Sequence, residues 1–250
     1  MLLAIDIGNS NITLGVFDNE NLIKTIRYNS DKNISQHKYE TKLKESLAEF
    51  KITGCIISSV VKGLDKTIKQ SVQNIYNINP LILSQNINIG IKIDAPHPEQ
   101  AGADRIANIC GANKLYQKPY IVVDTGTATT FDIANKNGHF IGGLIMPGLR
   151  MQIRSLNGNT SLLPEIQIEE SKKAIGNDTE SSILSGVIRG HASAIDGLIE
   201  QCEAELGTKA CIILTGGYSK LVSNYMKRKF DYINPNLTLE GLKTIYELNR

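Results

Sequence analysis

A chain of 250 residues has room for one large domain or two small ones, and 41% hydrophobic residues can build a packed core. A formal charge of +2, from 27 Lys and Arg against 25 Asp and Glu, argues against a dedicated nucleic-acid binder, which carries a dense basic stripe. The four cysteines, Cys55, Cys110, Cys202 and Cys211, show neither CxxC pairing nor zinc-finger spacing, so no disulfide framework is expected and a reducing cytoplasm is.

The N-terminus MLLAIDIG has no basic stretch and meets a carboxylate at Asp6, so it reads as neither signal peptide nor membrane span. No later segment holds the roughly 18 apolar residues in a row that a membrane span needs. LLAIDIG and NITLGVFD read as two strands joined by a short polar turn, and NLIKTIRYN alternates as a third. SQHKYETKLKESLAEF has helical spacing, with Tyr39, Leu43, Leu47 and Phe50 on one side. GCIISSVV is a buried strand, LDKTIKQSVQNIY a helix, and PLILS and IGIKID two more strands. EQAGADRIANICGANKLY reads as a helix starting near its Gly-Ala pair.

The pattern then restarts. PYIVVDTGTATTFDIA runs strand, aspartate, glycine-threonine turn, strand, and GHFIGGLIMPG follows as a third strand. Helices fit MQIRSLNGNT, DTESSILSGVIRGHASAIDGLIEQCEAEL and YSKLVSNYMKRK; ACIILTGG is a buried strand ending in a glycine turn, and TLEGLKTIYELN is a last helix. The basic cluster MKRKF (Met226–Phe230) reads as a solvated helix end. Asp6-Ile7-Gly8-Asn9-Ser10 and Asp124-Thr125-Gly126-Thr127-Ala128 are two versions of one phrase. An internal duplication follows, with halves 1–116 and 117–250, each led by a β-hairpin and completed by strands and flanking helices.

A glycine turn exposes backbone N–H groups and lets a phosphate come close, and the side chains of Asn9, Ser10, Asn11 and Thr13 add neutral donors. The Asp6 carboxylate would repel a bare phosphate, so it implies a bridging cation or water, as in Mg-nucleotide chemistry. Asp, Gly, Asn and Ser are also the ordinary turn formers, so one copy alone reads equally well as a plain hairpin. The second copy at Asp124 and the glycine turn LTGGYS (Leu214–Ser219) favour the phosphate reading. No GxxxxGK[ST] occurs, and no GxGxxG follows the first strand.

The motifs DIGNS, GADRIAN (Gly102–Asn108), DTGTATTFD (Asp124–Asp132), GGLIMPGL (Gly142–Leu149) and LTGG occur in that order. The chain resembles the type III pantothenate kinases, the CoaX-type family, nearly end to end. That family lies in the acetate and sugar kinase/Hsc70/actin superfamily. The resemblance implies an α/β fold of two ribonuclease H-like, actin-like ATPase domains. It implies ATP-dependent phosphorylation of pantothenate at its primary hydroxyl, the first committed step toward coenzyme A, in a cytoplasmic homodimer that uses neither nucleic acid nor membrane. ATP, as Mg-ATP, would contact Asp6, Ile7, Gly8, Asn9, Ser10, Asn11, Ile12 and Thr13, and Thr127 from the second half. Gly102, Ala103, Asp104 and Arg105 would hold pantothenate, with Asp104 as proton acceptor and Thr179 as a further substrate contact. Asp124 would hold a monovalent cation, K⁺ or NH₄⁺. Taken alone, Asp104-Arg105 also reads as a surface ion pair at a helix start. The family further includes non-catalytic accessory factors acting in transcription, and other small-molecule kinases share the superfamily.

One departure stands out. Many members carry a tyrosine in a YDNP context before GADR, whereas here the segment is KIDAPHPEQAGADR, with Ile93 before Asp94 and two extra residues before Gly102. His37 reads as exposed, His97 as a loop residue, His139 as a turn residue, and His191, on the long helix with Ile188 and Ile195, as packed.

Overall fold

The computed structural model describes residues 1–31, 33–84 and 86–250. Packing divides the chain into two units: Met1–Ile91, Pro96–Leu115 and Leu237–Arg250 form the first, Lys92–Ala95 and Tyr116–Asn236 the second.

The first unit opens with β1 (Leu2–Ile7), β2 (Asn11–Asp18) and β3 (Asn21–Asn29), antiparallel in sequence order. Period-two alternation puts Leu3, Ile5 and Ile7 on one face of β1, where Tyr39, Leu43 and Leu47 of α1 (Gln36–Leu47) complete the core. Ser35 caps α1, its hydroxyl accepting from the Lys38 N–H at 3.4 Å. β4 (Gly54–Ser59) then pairs parallel with β1, and α2 (Leu64–Tyr76) adds Ile68 and Val72 to the same core. α2 stops at Asn77, which takes the left-handed conformation with φ 53°.

β5 is only Leu81–Ile82. The strand expected over IGIKID does not form: Gly90 adopts φ +71° and interrupts it. Lys92–Ala95 instead runs beside Phe140 of the second unit, with the Asp94 N–H donating to the Phe140 carbonyl at 2.7 Å. A 3₁₀ turn at Pro98–Gln100 leads into α3 (Ala103–Leu115).

The second unit repeats the plan. β6 (Tyr120–Thr125), β7 (Ala128–Ala134) and β8 (Phe140–Pro147) are antiparallel neighbours. α4 (Leu149–Gly158) and the long α5 (Thr179–Leu206) follow. Asp178 and Ser181 form a reciprocal cap at the start of α5, and Gly207, at φ +69°, ends it. β9 (Cys211–Thr215) pairs parallel with β6, and β10 (Tyr232–Ile233) with β9. The strand orders β3-β2-β1-β4-β5 and β8-β7-β6-β9-β10 are one topology twice, so the duplication read from the two aspartate turns is present in both mixed sheets.

α6 covers only Ser219–Ser223, shorter than the helix expected through Lys229. The Asp196 carboxylate of α5 accepts from the backbone N–H of Lys227 at 2.8 Å and of Arg228 at 3.4 Å, capturing donors a longer helix would use internally.

The chain ends in α7 (Leu237–Leu248), which packs on α3 and on β1, β2 and β4. A sequence boundary at 116/117 places this helix with the second half; its packing places it with the first. Two glycines make the crossing possible: a Cβ on Gly241 would lie 1.8 Å from the Ala107 carbonyl oxygen, and one on Gly111 2.8 Å from that of Leu237. Across the sheet, the small pair Ala4 and Gly15 leaves room for Leu239, whose methyl lies 2.9 Å from where a Gly15 Cβ would sit.

Candidate functional site

In the first unit Asp6, next to last in β1, lies between two hydroxyl residues, Thr13 on β2 and Ser58 on β4. The turn that follows is held from inside. The Gly8 N–H donates to the Asn11 carbonyl at 2.9 Å, the Ser30 N–H to the Ser10 carbonyl at 2.9 Å, and the Ser30 hydroxyl to the Gly8 carbonyl at 2.5 Å. These bonds turn carbonyls inward and leave Asn9 and Ser10 exposed at the tip, while Ile7 and Ile12 anchor its base in the core.

The second unit builds the same arrangement with Asp124, placed between Thr130 of β7 and Thr215 of β9. Here the turn is one residue shorter, three residues between the pair Thr125 and Thr129 against four between Ile7 and Ile12. The Gly126 N–H closes it on the Ala128 carbonyl at 3.1 Å, and Thr127 is exposed at its tip. Two further turns press against it. Gly216, at φ +88°, has its missing Cβ 2.3 Å from Asp124 Oδ1 and 2.6 Å from the Thr125 nitrogen. Gly148 would place a Cβ 2.3 Å from the Thr127 carbonyl oxygen and 2.6 Å from that of Gly126. One carboxylate oxygen and two carbonyls therefore lie against Gly148 and Gly216, two positions that admit no side chain. Such an all-oxygen donor set suits a hard cation of low charge. Among the described residues no group of three or more His, Cys, Asp or Glu is placed to hold a metal ion, so any cation here would rely on Asp124 with carbonyl and hydroxyl oxygens.

Gly102, Ala103, Asp104 and Arg105 lie in the first unit at the start of α3. Asp104 Oδ1 accepts from the Arg105 N–H at 2.8 Å and comes within 2.7 Å of where a Gly102 Cβ would be, so glycine is needed for this rotamer. A carboxylate in the first turn of a helix sits at the positive end of its dipole. Ala103 lines a cavity of about 360 Å³ with Leu83, Ser84, Asn86, Ala101 and Ile106, a volume suited to a small molecule. In place of a tyrosine, Ile93 bridges to Phe140 within the second unit.

Thr179 is the exposed first residue of α5. It lines an open groove of about 740 Å³ with Asn177, Asp178 and Ser182 on one side and Leu156, Leu163 and Val187 on another. Hydrogen bonds from the backbone and side chain of Ser181 hold the Asp178 carboxyl below its usual value.

The structure thus gathers Asp6 through Thr13 into one turn and Asp124 and Thr127 into its counterpart, with Gly102–Arg105 and Thr179 each at a helix start. Ser30 was not foreseen, nor was the close approach of Gly148 and Gly216 to the Asp124 turn. The two glycines lie in the motifs GGLIMPGL and LTGG, where a glycine after a strand is the available signal; Ser30 gives none. His37 and His97 are exposed, and His191 is buried. Among the described residues no helix is long and apolar enough to cross a membrane.

Comparison with known proteins identifies the family. The family profile described as type III pantothenate kinase matches residues 2–201. A type III pantothenate kinase of Dehalococcoides mccartyi is 37% identical over 254 residues, covering 100% of this chain and 96% of its own. Among solved structures, a protein of Campylobacter jejuni assigned to the Baf family of transcriptional activators is 23% identical, with 98% and 97% of the chains covered and a TM-score of 0.59. A protein of Sinorhizobium meliloti assigned as a 2-dehydro-3-deoxygalactonokinase is 13% identical, with 99% and 96% covered and a TM-score of 0.61. These two similarities concern the fold alone, two mixed five-stranded sheets with flanking helices.

Proposed function

The chain belongs to the type III pantothenate kinase family, transferases that phosphorylate pantothenate in coenzyme A biosynthesis, and from that premise we propose how its residues divide the reaction. Phosphoryl transfer needs positioning and charge neutralisation more than covalent help. The Asp6–Thr13 turn receives the phosphates of ATP, with Asn9, Ser10 and Thr13 as donors and Asp6 facing the magnesium-bound side. Thr127 is a further ATP contact. Asp124, with the carbonyls of Gly126 and Thr127 beside it, would hold a monovalent cation, K⁺ or NH₄⁺. When bound, the cations supply positive charge against the phosphates.

Pantothenate lies along Gly102–Arg105. Asp104 accepts the proton of the primary hydroxyl as the hydroxyl oxygen bonds to the γ-phosphorus and the bond from that phosphorus to the β,γ-bridging oxygen breaks, releasing ADP; Arg105 pairs with the substrate carboxylate. Thr179 is a further substrate contact. The first unit carries the ATP and GADR segments, the second the cation turn and the dimerisation helices. A homodimer through α5 is supported by its exposed small residues Ser182, Gly186, Gly190 and Ser193, which let another helix approach closely. The four cysteines are unbridged, which suits the reducing cytoplasm.

The observation that carries this reading is the carboxylate-and-glycine turn built twice, each aspartate between two hydroxyl residues. The test is ADP release coupled to a chromogenic readout, with ATP, Mg²⁺, K⁺ and pantothenate. Pantothenate-dependent turnover is expected; none at any monovalent cation refutes the function. Asp104→Asn should lower kcat by about 10²–10⁴-fold with the circular dichroism unchanged. Near wild-type activity would remove Asp104 from its role.

A further inference from the structure

α5 packs on the face of the second sheet formed by Ile121, Val123 and Thr125 of β6 and Thr129, Phe131 and Ile133 of β7. That face is apolar until the strands reach their turn, where two threonines take over. His191 of α5 meets them there, 2% exposed and surrounded along its own helix by Val187, Ile188, Ala192 and Ile195.

Both ring nitrogens are engaged. Nε2 lies 3.0 Å from the Thr129 hydroxyl, and Nδ1 lies 2.8 Å from Gln152 Nε2. The same Gln152 nitrogen donates to the Pro147 carbonyl at 3.0 Å. An amide NH₂ has two hydrogens and no lone pair to accept with. One hydrogen serves Pro147, and the other points at the ring. Reversing the amide would set its oxygen against the Pro147 carbonyl. Nδ1 is therefore the acceptor, the ring proton sits on Nε2, and Nε2–H donates to Thr129. Burial pushes the imidazole down to about 4, which keeps the ring neutral at pH 7.

The two ends of this chain of hydrogen bonds matter. Thr129 follows Thr127 by two residues on β7. Pro147 precedes Gly148, whose backbone presses on the Thr127 and Gly126 carbonyls beside Asp124. The imidazole thus braces both walls of the oxygen cradle. With both nitrogens occupied inside the core, it has no lone pair for a substrate and is not a general base.

We propose that His191 is a positioning residue: as a neutral ring protonated on Nε2, it holds the Gly126–Thr127 turn and the Pro147–Gly148 junction at the spacing that nucleotide and monovalent cation require. This rests on the assignment of Asp124 and Thr127 made above.

The test compares wild type with His191→Phe, which keeps a ring and loses both hydrogen bonds, and with His191→Gln, whose amide can still donate to Thr129. ATP affinity is read by calorimetry across a K⁺ series without pantothenate, so it stands apart from the turnover assay that decides the kinase function. In His191→Phe, which loses both bonds, the ATP Kd and the half-activating K⁺ concentration should each rise about tenfold or more, since one buried hydrogen bond alone is worth about that factor. In turnover, the pantothenate KM should stay within about twofold, a split that general loosening of the fold would not produce. His191→Gln should recover most of the ATP affinity. Thr129→Val removes the same bond from its other end and carries the measurement if His191→Phe does not fold. In ¹⁵N-histidine spectra of the wild type, the His191 ring should show the Nε2–H tautomer from pH 5.5 to 8. An Nδ1–H tautomer, a ring titrating in that range, or equal ATP affinity and K⁺ dependence in wild type and variants would overturn the proposal.

Discussion

A histidine buried neutral has a thermodynamic consequence that needs no substrate. His191 titrates near 6.5 when unfolded and about 4 in the fold, because burial disfavours the imidazolium. Between those values the unfolded chain binds the extra proton. The stability from the neutral ring is therefore complete above about pH 6.5 and drains away as pH falls toward 4, by up to about 3 kcal/mol. The carboxyls of Glu203, Glu40 and Asp178 are held below their usual values, so their contributions are lost only at lower pH. Melting temperature measured from pH 7 down to 5 should fall more steeply for wild type than for His191→Phe; parallel curves would refute the buried neutral ring. At this scale the two aspartates were legible because each ends an apolar strand before a glycine turn. The glycine turns holding Gly148 and Gly216 were legible as such, but not what they pack against, because a glycine's neighbour depends on which backbone lies across from it, and here that backbone is the Asp124 turn. Gln152 was equally silent, since only folding brings it to His191.

Most elements follow from local pattern. α2 occupies Leu64–Tyr76, the stretch its apolar spacing marks out, and β1, β2 and β4 keep the β-branched runs that suggested them. The exceptions have tertiary causes: Asp196 shortens α6 by taking its donors, and Gly90 breaks an otherwise alternating run. Glycines inside helices show the same division between local and tertiary reasons. In α7, Gly241 allows the backbone to touch α3, whereas a Cβ on Gly197 of α5 would meet nothing within 4 Å. Gly241→Ala should therefore cost about 3 kcal/mol, since a rigid carbonyl blocks the new methyl. Gly197→Ala should be neutral or stabilise by about 0.5–1 kcal/mol, the helix propensity difference. Thermal denaturation of both variants decides this, at roughly 2–4 °C per kcal/mol for a chain of this size. Equal melting temperatures would mean that the α3–α7 crossing can relax.

The whole chain is one topology written twice, and that much is visible in a single repeated phrase, DIGNS and DTGTA. The destination of the last helix is not visible, because an amphipathic pattern says that a face will be buried and not against what. Leu237, Leu239, Leu242 and Ile245 give α7 its buried side, and the receiving surface is supplied by small residues far away in sequence, Gly15, Ala107 and Gly111. The ion pairs follow the same route: Lys243, nearly buried, bonds to Glu20 at 2.7 Å and to Glu247 at 2.5 Å, tying α7 to the β2–β3 turn. The first unit therefore depends on residues added after the second is complete, while each unit keeps a core of its own. Deleting Leu237–Arg250 should uncover α3 and the Ala4–Gly15 side of the first sheet. Hydrogen exchange read by mass spectrometry should then show protection lost across β1, β2, β4 and α3 and retained across β6, β7, β9 and α5. Equal loss in both would show that the two cores melt as one, and no loss in either would show that α7 is dispensable to the first.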